Sequence, residues 1–196
     1  MDATPITLEG RHVRLEPLTP AHAPDLLAAL SHDLSIWRWL PIEPPVTTAE
    51  MEAIISAALA AQAAGTSVPF AQIALATGRV VGSTRYLNIS RADLGLEIGW
   101  TWLGRPWQRT AINTEAKLLL LRHAFEDLGA ARVQLKTDAR NLQSQAAIER
   151  LGALREGVLR RYQRTRGGLL RDTVMYSLLA EEWPAVRERL EARLSP

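Results

Sequence analysis

The stretch Trp100-Thr-Trp-Leu-Gly-Arg-Pro-Trp-Gln-Arg-Thr-Ala-Ile-Asn-Thr-Glu-Ala-Lys117 decides the fold. A β-like run ends within it, a short polar loop follows, and a strong helical pattern begins near Asn113. A loop that leads into a helix in this way presents backbone N–H groups at the positive end of the helix dipole. The stretch therefore predicts an anion-binding site between a strand and a helix.

The pattern on either side of this stretch predicts one α/β domain over residues 1–196. Apolar and β-rich runs predict strands over 12–18, 68–76, 80–89, 94–102, 132–137, 158–162 and 170–179. Helical spacing predicts helices after Thr19-Pro20, over 48–64, 113–128 and 141–151, and from Trp183 onward. We expect the second and third strands to form a hairpin, and Ile98, Trp100 and Trp102 to share one face of the next strand.

Composition narrows the classes of protein to consider. The 196 residues are 47% hydrophobic and 22% charged, with a net charge of +2 and no cysteine. The lack of cysteine excludes disulfides, a cysteine nucleophile and thiolate metal sites. No apolar run is long enough for a membrane helix and the N-terminus is not a signal peptide, so we expect a cytoplasmic protein. The four histidines, His12, His22, His32 and His123, are scattered, and we assign no metal.

The segment Gln108-Arg-Thr-Ala-Ile-Asn113 resembles the Gln/Arg-x-x-Gly-x-Gly/Ala loop of the GCN5-related N-acetyltransferases (GNAT). Ala111 and Asn113 depart from its two small positions. Five further segments resemble, in the right order, the opening strand, fourth strand, helix start, late Asn-x-x-Ser helix and last strand of the RimJ/RimL-like branch. These segments are Leu8–Leu18, Glu97–Trp100, Asn113–Lys117, Arg140–Ala153 and Arg171–Ser177.

The resemblance implies a mixed, mostly antiparallel central sheet flanked by helices, with a splay between the fourth and fifth strands. It also implies acetyl-CoA as co-substrate and transfer of the acetyl group to a primary amine. The strand 94–102 would bind the pantetheine arm through its backbone, and the helix start would bind the pyrophosphate. The implied cofactor-binding residues are Trp100, Thr101, Trp102, Gln108, Arg109, Thr110, Ala111, Ile112, Asn113, Thr114 and Asn141.

Two residues are the candidate catalytic groups. The resemblance implies Ser144 as the acid that protonates the leaving thiolate, but the glutamate that serves as base in related ribosomal-protein acetylases is replaced by Gln163. Glu97 is therefore the candidate base, because an amine must lose a proton to attack. Structural roles are the alternatives: a salt bridge for Glu97, and a helix N-cap for Asn141 with Ser144. Weaker candidates are Glu43, Glu50 and Glu156 as base and Tyr176 as acid.

The acceptor is the least determined part of the prediction. Trp37 and Trp39 lie in a Pro-rich connection, where they form either an aromatic wall for the acceptor or part of the core. A protein N-terminal α-amine and a small amine (an antibiotic, a polyamine or an amino acid) both remain open. The arginine-rich segment Arg155–Arg171 favours an acidic protein acceptor over nucleic acid, since it lacks interleaved aromatic residues apart from Tyr162. A non-catalytic acyl-CoA-binding module is the other alternative, and a homodimer stays open.

Overall fold

A computed structural model describes residues 1–30 and 33–195. The strands of these ranges are β1 (Leu8–Glu9), β2 (Val13–Pro17), β3 (Ser67–Ala74), β4 (Arg79–Ser90), β5 (Gly95–Leu103), β6 (Arg132–Asp138), β7 (Leu154–Arg164) and β8 (Leu170–Leu179). The α-helices are α1 (Ala23–Leu30), α2 (Thr48–Ala63), α3 (Ala111–Arg122), α4 (Leu142–Leu151) and α5 (Trp183–Leu194). None of these helices is long and apolar enough to span a membrane.

The described strands form one sheet in the order β1-β2-β3-β4-β5-β6-β8-β7. All neighbouring strands are antiparallel except β5 and β6, which are parallel. One core packs α3, α4 and α5 on one face of the sheet, and a second core packs α1 and α2 on the other. The structure thus confirms the predicted mixed, mostly antiparallel sheet flanked by helices.

The splay predicted between the fourth and fifth strands is also confirmed. It lies between β5 and β6, because the short strand β1 was not among the predicted strands. The two strands pair only from Gly95 to Glu97 on β5, opposite Arg132 to Gln134 on β6. Beyond these pairs β5 continues to Leu103 and β6 to Asp138 without a shared ladder. The edge of β5 that faces β6 therefore has unpaired backbone groups from Ile98 onward, within reach of a ligand.

A β-bulge at Trp100 changes which face of β5 each side chain occupies. Gly99 pairs with Arg85 and Trp102 with Ser83, so Trp100 and Thr101 together face one residue of β4. Trp100 has a φ of 52°, in the left-handed region. Ile98 consequently packs in the core of α3 to α5, whereas Trp102 packs in the core of α1 and α2. The prediction that Ile98, Trp100 and Trp102 share a face is wrong, because strict alternation fails across a bulge.

Local capping residues explain where the helices begin. Thr47 and Glu50 form a capping box at α2, with Glu50 Oε2 accepting from the N–H groups of Val46 and Thr47. Helix α3 begins at Ala111, two residues before the predicted start, because the Thr110 side chain accepts from the Ile112 N–H.

The end of the predicted 113–128 helix is a π-helical turn, His123–Asp127. Strand β1 and the full length of β7 are additions to the prediction.

Glu115 ties the start of the sheet to α3. Its carboxylate accepts from the backbone N–H groups of Arg11 (2.8 Å), His12 (2.6 Å) and Val13 (2.8 Å). Gly10 is required beside it, because a side chain at that position would overlap the Glu115 carboxylate. This contact fixes the turn between β1 and β2 against the helix that carries the predicted anion site.

Candidate functional site

The splay opens into a cleft of about 670 Å³ between β5, β6, the first turn of α3, the start of α4 and the loop after α1. Most residues predicted for the site line this cleft. They are Trp39, Glu97, Trp100, Thr101, Trp102, Gln108, Arg109, Thr110, Asn113, Thr114, Asn141 and Ser144. The three predicted residues that do not line it are Trp37, Ala111 and Ile112.

The loop before α3 is held by hydrogen bonds to its own backbone. Gln108 Nε2 donates to the Leu103 carbonyl at 3.0 Å, and Thr110 Oγ1 donates to the Trp107 carbonyl at 2.8 Å. Arg109 has a φ of 61° and is exposed on the cleft side. Asn113 lies in the first turn of α3 and also faces the cleft. The loop thus presents a cation and the positive end of a helix to one end of the cleft.

Ala111 and Ile112 are in the same turn, but their side chains point elsewhere. Ile112 is buried in the core of α3 to α5, and Ala111 packs against that core. The Ile112 N–H is already bonded to Thr110 Oγ1 at 3.3 Å. Helical geometry places only some side chains of the loop motif in the cleft. Ala111 can therefore contact a ligand only through its main chain, and Ile112 holds the helix in position against the core.

The start of α4 forms the adjoining wall. Asn141 Oδ1 accepts from the Ser144 N–H at 3.1 Å, so the predicted N-cap is present. Within the described residues, the Asn141 amide nitrogen and Ser144 Oγ have no other partner, and both residues line the cleft. The capping role therefore uses one atom of Asn141 and leaves its amide donor and the serine hydroxyl available to a ligand.

Lys117 is a cleft residue that the sequence analysis missed. Its Nζ donates to Thr101 Oγ1 at 2.6 Å and to Thr84 Oγ1 at 3.4 Å. Burial lowers the pKa of Lys117 to about 7. Its position four residues after Asn113 puts it on the same face of α3, which is the signal that could have identified it.

Glu97 lies on the face of the sheet opposite to Lys117 and is 2% exposed. Its Oε2 accepts from Asn88 Nδ2 at 2.9 Å and Gln134 Nε2 at 3.1 Å, and forms an ion pair with Lys136 Nζ at 2.9 Å. Lys136 Nζ lies 5.6 Å from the centre of the Tyr162 ring. The salt bridge anticipated as the structural alternative is therefore present, and it lies at the cleft.

The two tryptophans of the Pro-rich connection have different surroundings. Trp37 is 1% exposed, and its ring centre lies 5.2 Å from that of Trp102. Trp39 lines the cleft, with the guanidinium groups of Arg38 and Arg140 at 4.8 Å and 5.6 Å from its ring centre. The structure thus places Trp37 in the core of α1 and α2, and leaves only Trp39 on the predicted aromatic wall.

Two arginines lie near the end of β6. Arg140 binds Asp138 through Nε at 2.9 Å and Nη2 at 2.7 Å. Burial raises the pKa of the Asp138 carboxyl, but the hydrogen bonds and charge of Arg140 outweigh this and hold it below its usual range. Arg171 is 8% exposed, lines the cleft and donates from Nε to Thr173 Oγ1 at 3.1 Å.

The weaker candidates lie away from the cleft. Each has a structural partner: Glu43 pairs with Arg166, Glu50 caps α2, Glu156 pairs with Arg132, and buried Tyr176 donates to Glu149. Gln163, in contrast, lines the cleft from β7. The described part of the chain contains no cluster of three histidine or carboxylate side chains that could hold a metal ion, and His32 lies outside it.

Comparison with known proteins identifies the family. Residues 12–154 match the family described as the acetyltransferase (GNAT) domain. A GCN5-related N-acetyltransferase from Brucella melitensis is 34% identical with a TM-score of 0.94, over 100% of this chain and 88% of that one. Mycobacterium smegmatis RimJ, solved with CoA-disulfide, is 24% identical with a TM-score of 0.85, over 96% and 95% of the two chains. YdaF of Bacillus subtilis strain 168, a candidate ribosomal N-acetyltransferase, is 34% identical over 106 residues, 54% of this chain and 57% of YdaF.

These matches agree with the geometry. The family match includes the bulged strand β5, the loop before α3 and the helix α4, each of which contributes residues to the cleft. The resemblance noted in the sequence is therefore confirmed over most of the chain. This protein belongs to the GNAT family of acetyltransferases.

Proposed function

We propose that this chain transfers the acetyl group of acetyl-CoA to a primary amine, and that the amine is the α-amine of a protein N-terminus. The observation that carries the proposal is the splay of β5 from β6 beside the first turn of α3. The splay leaves an unpaired strand edge next to a helix N-terminus. An extended amide-containing arm that ends in a pyrophosphate needs both features.

The donor side of the cleft fits coenzyme A. Asn113, Thr114 and Arg109 surround the first turn of α3, where an anionic pyrophosphate is stabilised. The backbone of Trp100, Thr101 and Trp102 can bond the pantetheine amides, and the free amide of Asn141 can do so from α4. When bound, acetyl-CoA supplies the acetyl group as a thioester. The unpaired N–H groups of β5 are suited to stabilise the negative charge that develops on its carbonyl oxygen.

Glu97 is the general base of this proposal. An ammonium group cannot attack a carbonyl carbon, so the acceptor must lose a proton to a group at the cleft. Glu97 lines the cleft, where its carboxylate forms an ion pair with the Lys136 ammonium. It accepts that proton directly or through a water molecule.

Ser144 is the general acid. Its hydroxyl lines the cleft from the first turn of α4, without another partner in the described residues. The hydroxyl is therefore free to donate a proton to the leaving thiolate. Gln163 also lines the cleft but does not titrate, so it can orient a ligand without moving a proton.

The choice of a protein N-terminus rests on two observations. YdaF, which is similar to about half of this chain, is named for a ribosomal substrate. Trp39 and exposed Tyr162 also line the cleft, and both rings are available to contact a peptide. A small amine is the alternative acceptor.

Release of free thiol from acetyl-CoA tests the proposal. The purified protein should release thiol with peptides that carry a free N-terminal amine, and mass spectrometry should find the acetyl group on that amine. N-terminally blocked peptides are the matched control and should give no release. Turnover with polyamines or antibiotics alone would favour the small-amine alternative. Tight acetyl-CoA binding without turnover of any amine would support a binding module instead.

A further inference from the structure

Arg171 is a buried cation with unused hydrogen-bonding capacity at the cleft. It is 8% exposed and sits on β8 beyond the last residue of β6 that pairs with this strand. Its Nε donates to Thr173, and in the described residues its terminal nitrogens have no hydrogen bond or ion pair. An arginine carries five N–H donors, so four of them remain without a protein partner. Burying such a charge without a partner is costly.

The neighbouring charges do not neutralise Arg171, because each is already paired. Glu97 is bound by Lys136, and Asp138 is bound by Arg140 through two nitrogens. The carboxylates of Glu97 and Asp138 act on Arg171 only through space, and among the three cations Arg171 alone has no hydrogen bond or ion pair to a carboxylate in the described residues. Burial lowers the pKa of Arg171, although the charges of Asp138 and Glu97 act in the opposite direction.

We infer that Arg171 binds a carboxylate of the acceptor, and therefore that the acceptor is a peptide N-terminus with aspartate or glutamate close to the reacting α-amine. This inference rests on the proposed function. A single guanidinium with free terminal nitrogens matches one carboxylate in a bidentate arrangement. Arg171 shares the cleft with Glu97, so one ligand can place its amine at the base and its carboxylate at the cation.

The exposed arginines of the segment Arg155–Arg171 are poorly placed to bind this carboxylate. Arg160, Arg161 and Arg164 are exposed and do not line the cleft. Exposed cations in water contribute little to the binding of one specific anion. The preference for acidic acceptors that this segment suggests is therefore assigned to Arg171.

Matched peptides test the inference. One peptide begins Ser-Asp and the other Ser-Asn, with the same sequence afterwards, and kcat and KM are measured by thiol release. We expect wild type to favour the acidic peptide at least about tenfold in kcat/KM, mainly through KM. Arg171→Gln should reduce this ratio to near one, and Arg171→Lys should keep part of it because the charge remains. Arg160→Gln is the matched control and should keep the full ratio.

Each outcome is decisive for one of the two proposals. Equal KM values for the two peptides in wild type would overturn the inference and leave the proposed acetyl transfer intact. An unchanged ratio in Arg171→Gln would also overturn it. Bound acetyl-CoA with no turnover of either peptide would instead overturn the proposed function. The comparison of the two peptides in the wild-type protein needs no variant. It therefore still tests the inference if Arg171→Gln fails to fold.

Discussion

Glu97 and Glu115 are both buried carboxylates that accept or pair with three N–H groups, yet they have different roles. Glu115, 4% exposed, is held by three backbone N–H groups of the turn between β1 and β2. Glu97 is held by three side chains, Asn88, Gln134 and Lys136, and it lines the cleft. Backbone donors are fixed by the fold, whereas side-chain donors can rearrange when a ligand arrives. The kind of donor separates the structural carboxylate from the candidate base.

Removal of Glu115 should have the largest effect, and it should be on stability. Glu115→Ala would leave three backbone N–H groups without a partner inside the protein. We expect the free energy of unfolding to fall by about 3–5 kcal/mol, which is typical when a buried charged partner is removed. Urea denaturation followed by circular dichroism measures this change.

An exposed residue provides the control for Glu115. Glu188 lies on α5, is exposed and has no partner in the described part of the chain, so Glu188→Ala should change stability by less than about 0.5 kcal/mol. If Glu115→Ala were no more destabilising than this control, the turn would not depend on the carboxylate. The distinction drawn between the two carboxylates would then fail.

Glu97→Gln should affect activity instead of stability. The amide keeps the size of the side chain but cannot accept a proton, so kcat should fall by about 10²-fold to 10⁴-fold. The acidic limb of the pH–rate profile should flatten as well. Glu43→Gln, which alters an exposed carboxylate paired only with Arg166, is the control and should keep the wild-type rate. A near-normal profile in Glu97→Gln would remove Glu97 from the role of base.

Local sequence patterns predicted the parts of the site that lie within one segment. The loop 108–113 and the cap at Asn141 each depend on neighbours a few residues away. Both reach the cleft, although Ala111 and Ile112 of the loop do not line it. The bulge at Trp100 could not be read in this way. Its left-handed backbone is carried by a tryptophan, a residue type that gives no sign of such a conformation.

The remaining site residues meet only through strand pairing between distant segments. Lys136 reaches Glu97 because β6 pairs in parallel with β5, and Arg171 joins them through the register of β8. Glu115 reaches its three donors over more than one hundred residues. Periodicity indicates which residues share a strand face, but it does not indicate which strands become neighbours. The contacts around Glu97 and Arg171 were therefore harder to predict than the loop and the helix cap.

Lys117 extends the comparison to a buried cation that has only hydroxyl partners. Its pKa of about 7 in the folded protein lies below the ordinary value of 10.5, so between these pH values the unfolded chain binds more protons. Stability should therefore rise with pH across this window, by at most about 1.4 kcal/mol per pH unit. Lys117→Met should abolish the rise, and urea denaturation at pH 7 and pH 9 measures it. Equal slopes for wild type and variant would show that Lys117 keeps its charge in the folded state.

Lys136→Met should produce the smallest effect and tests how Glu97 is held. Without the ammonium, the carboxylate keeps its two amide donors but loses its ion pair, so its position at the cleft is less tightly fixed. We therefore expect kcat/KM to fall by no more than about tenfold, less than in Glu97→Gln. Arg132→Met, which breaks the Arg132–Glu156 pair away from the cleft, should leave kcat/KM at its wild-type value. An unchanged kcat/KM in Lys136→Met would mean that the amide donors alone position Glu97, and the ion pair would then be as structural as the contacts of Glu115.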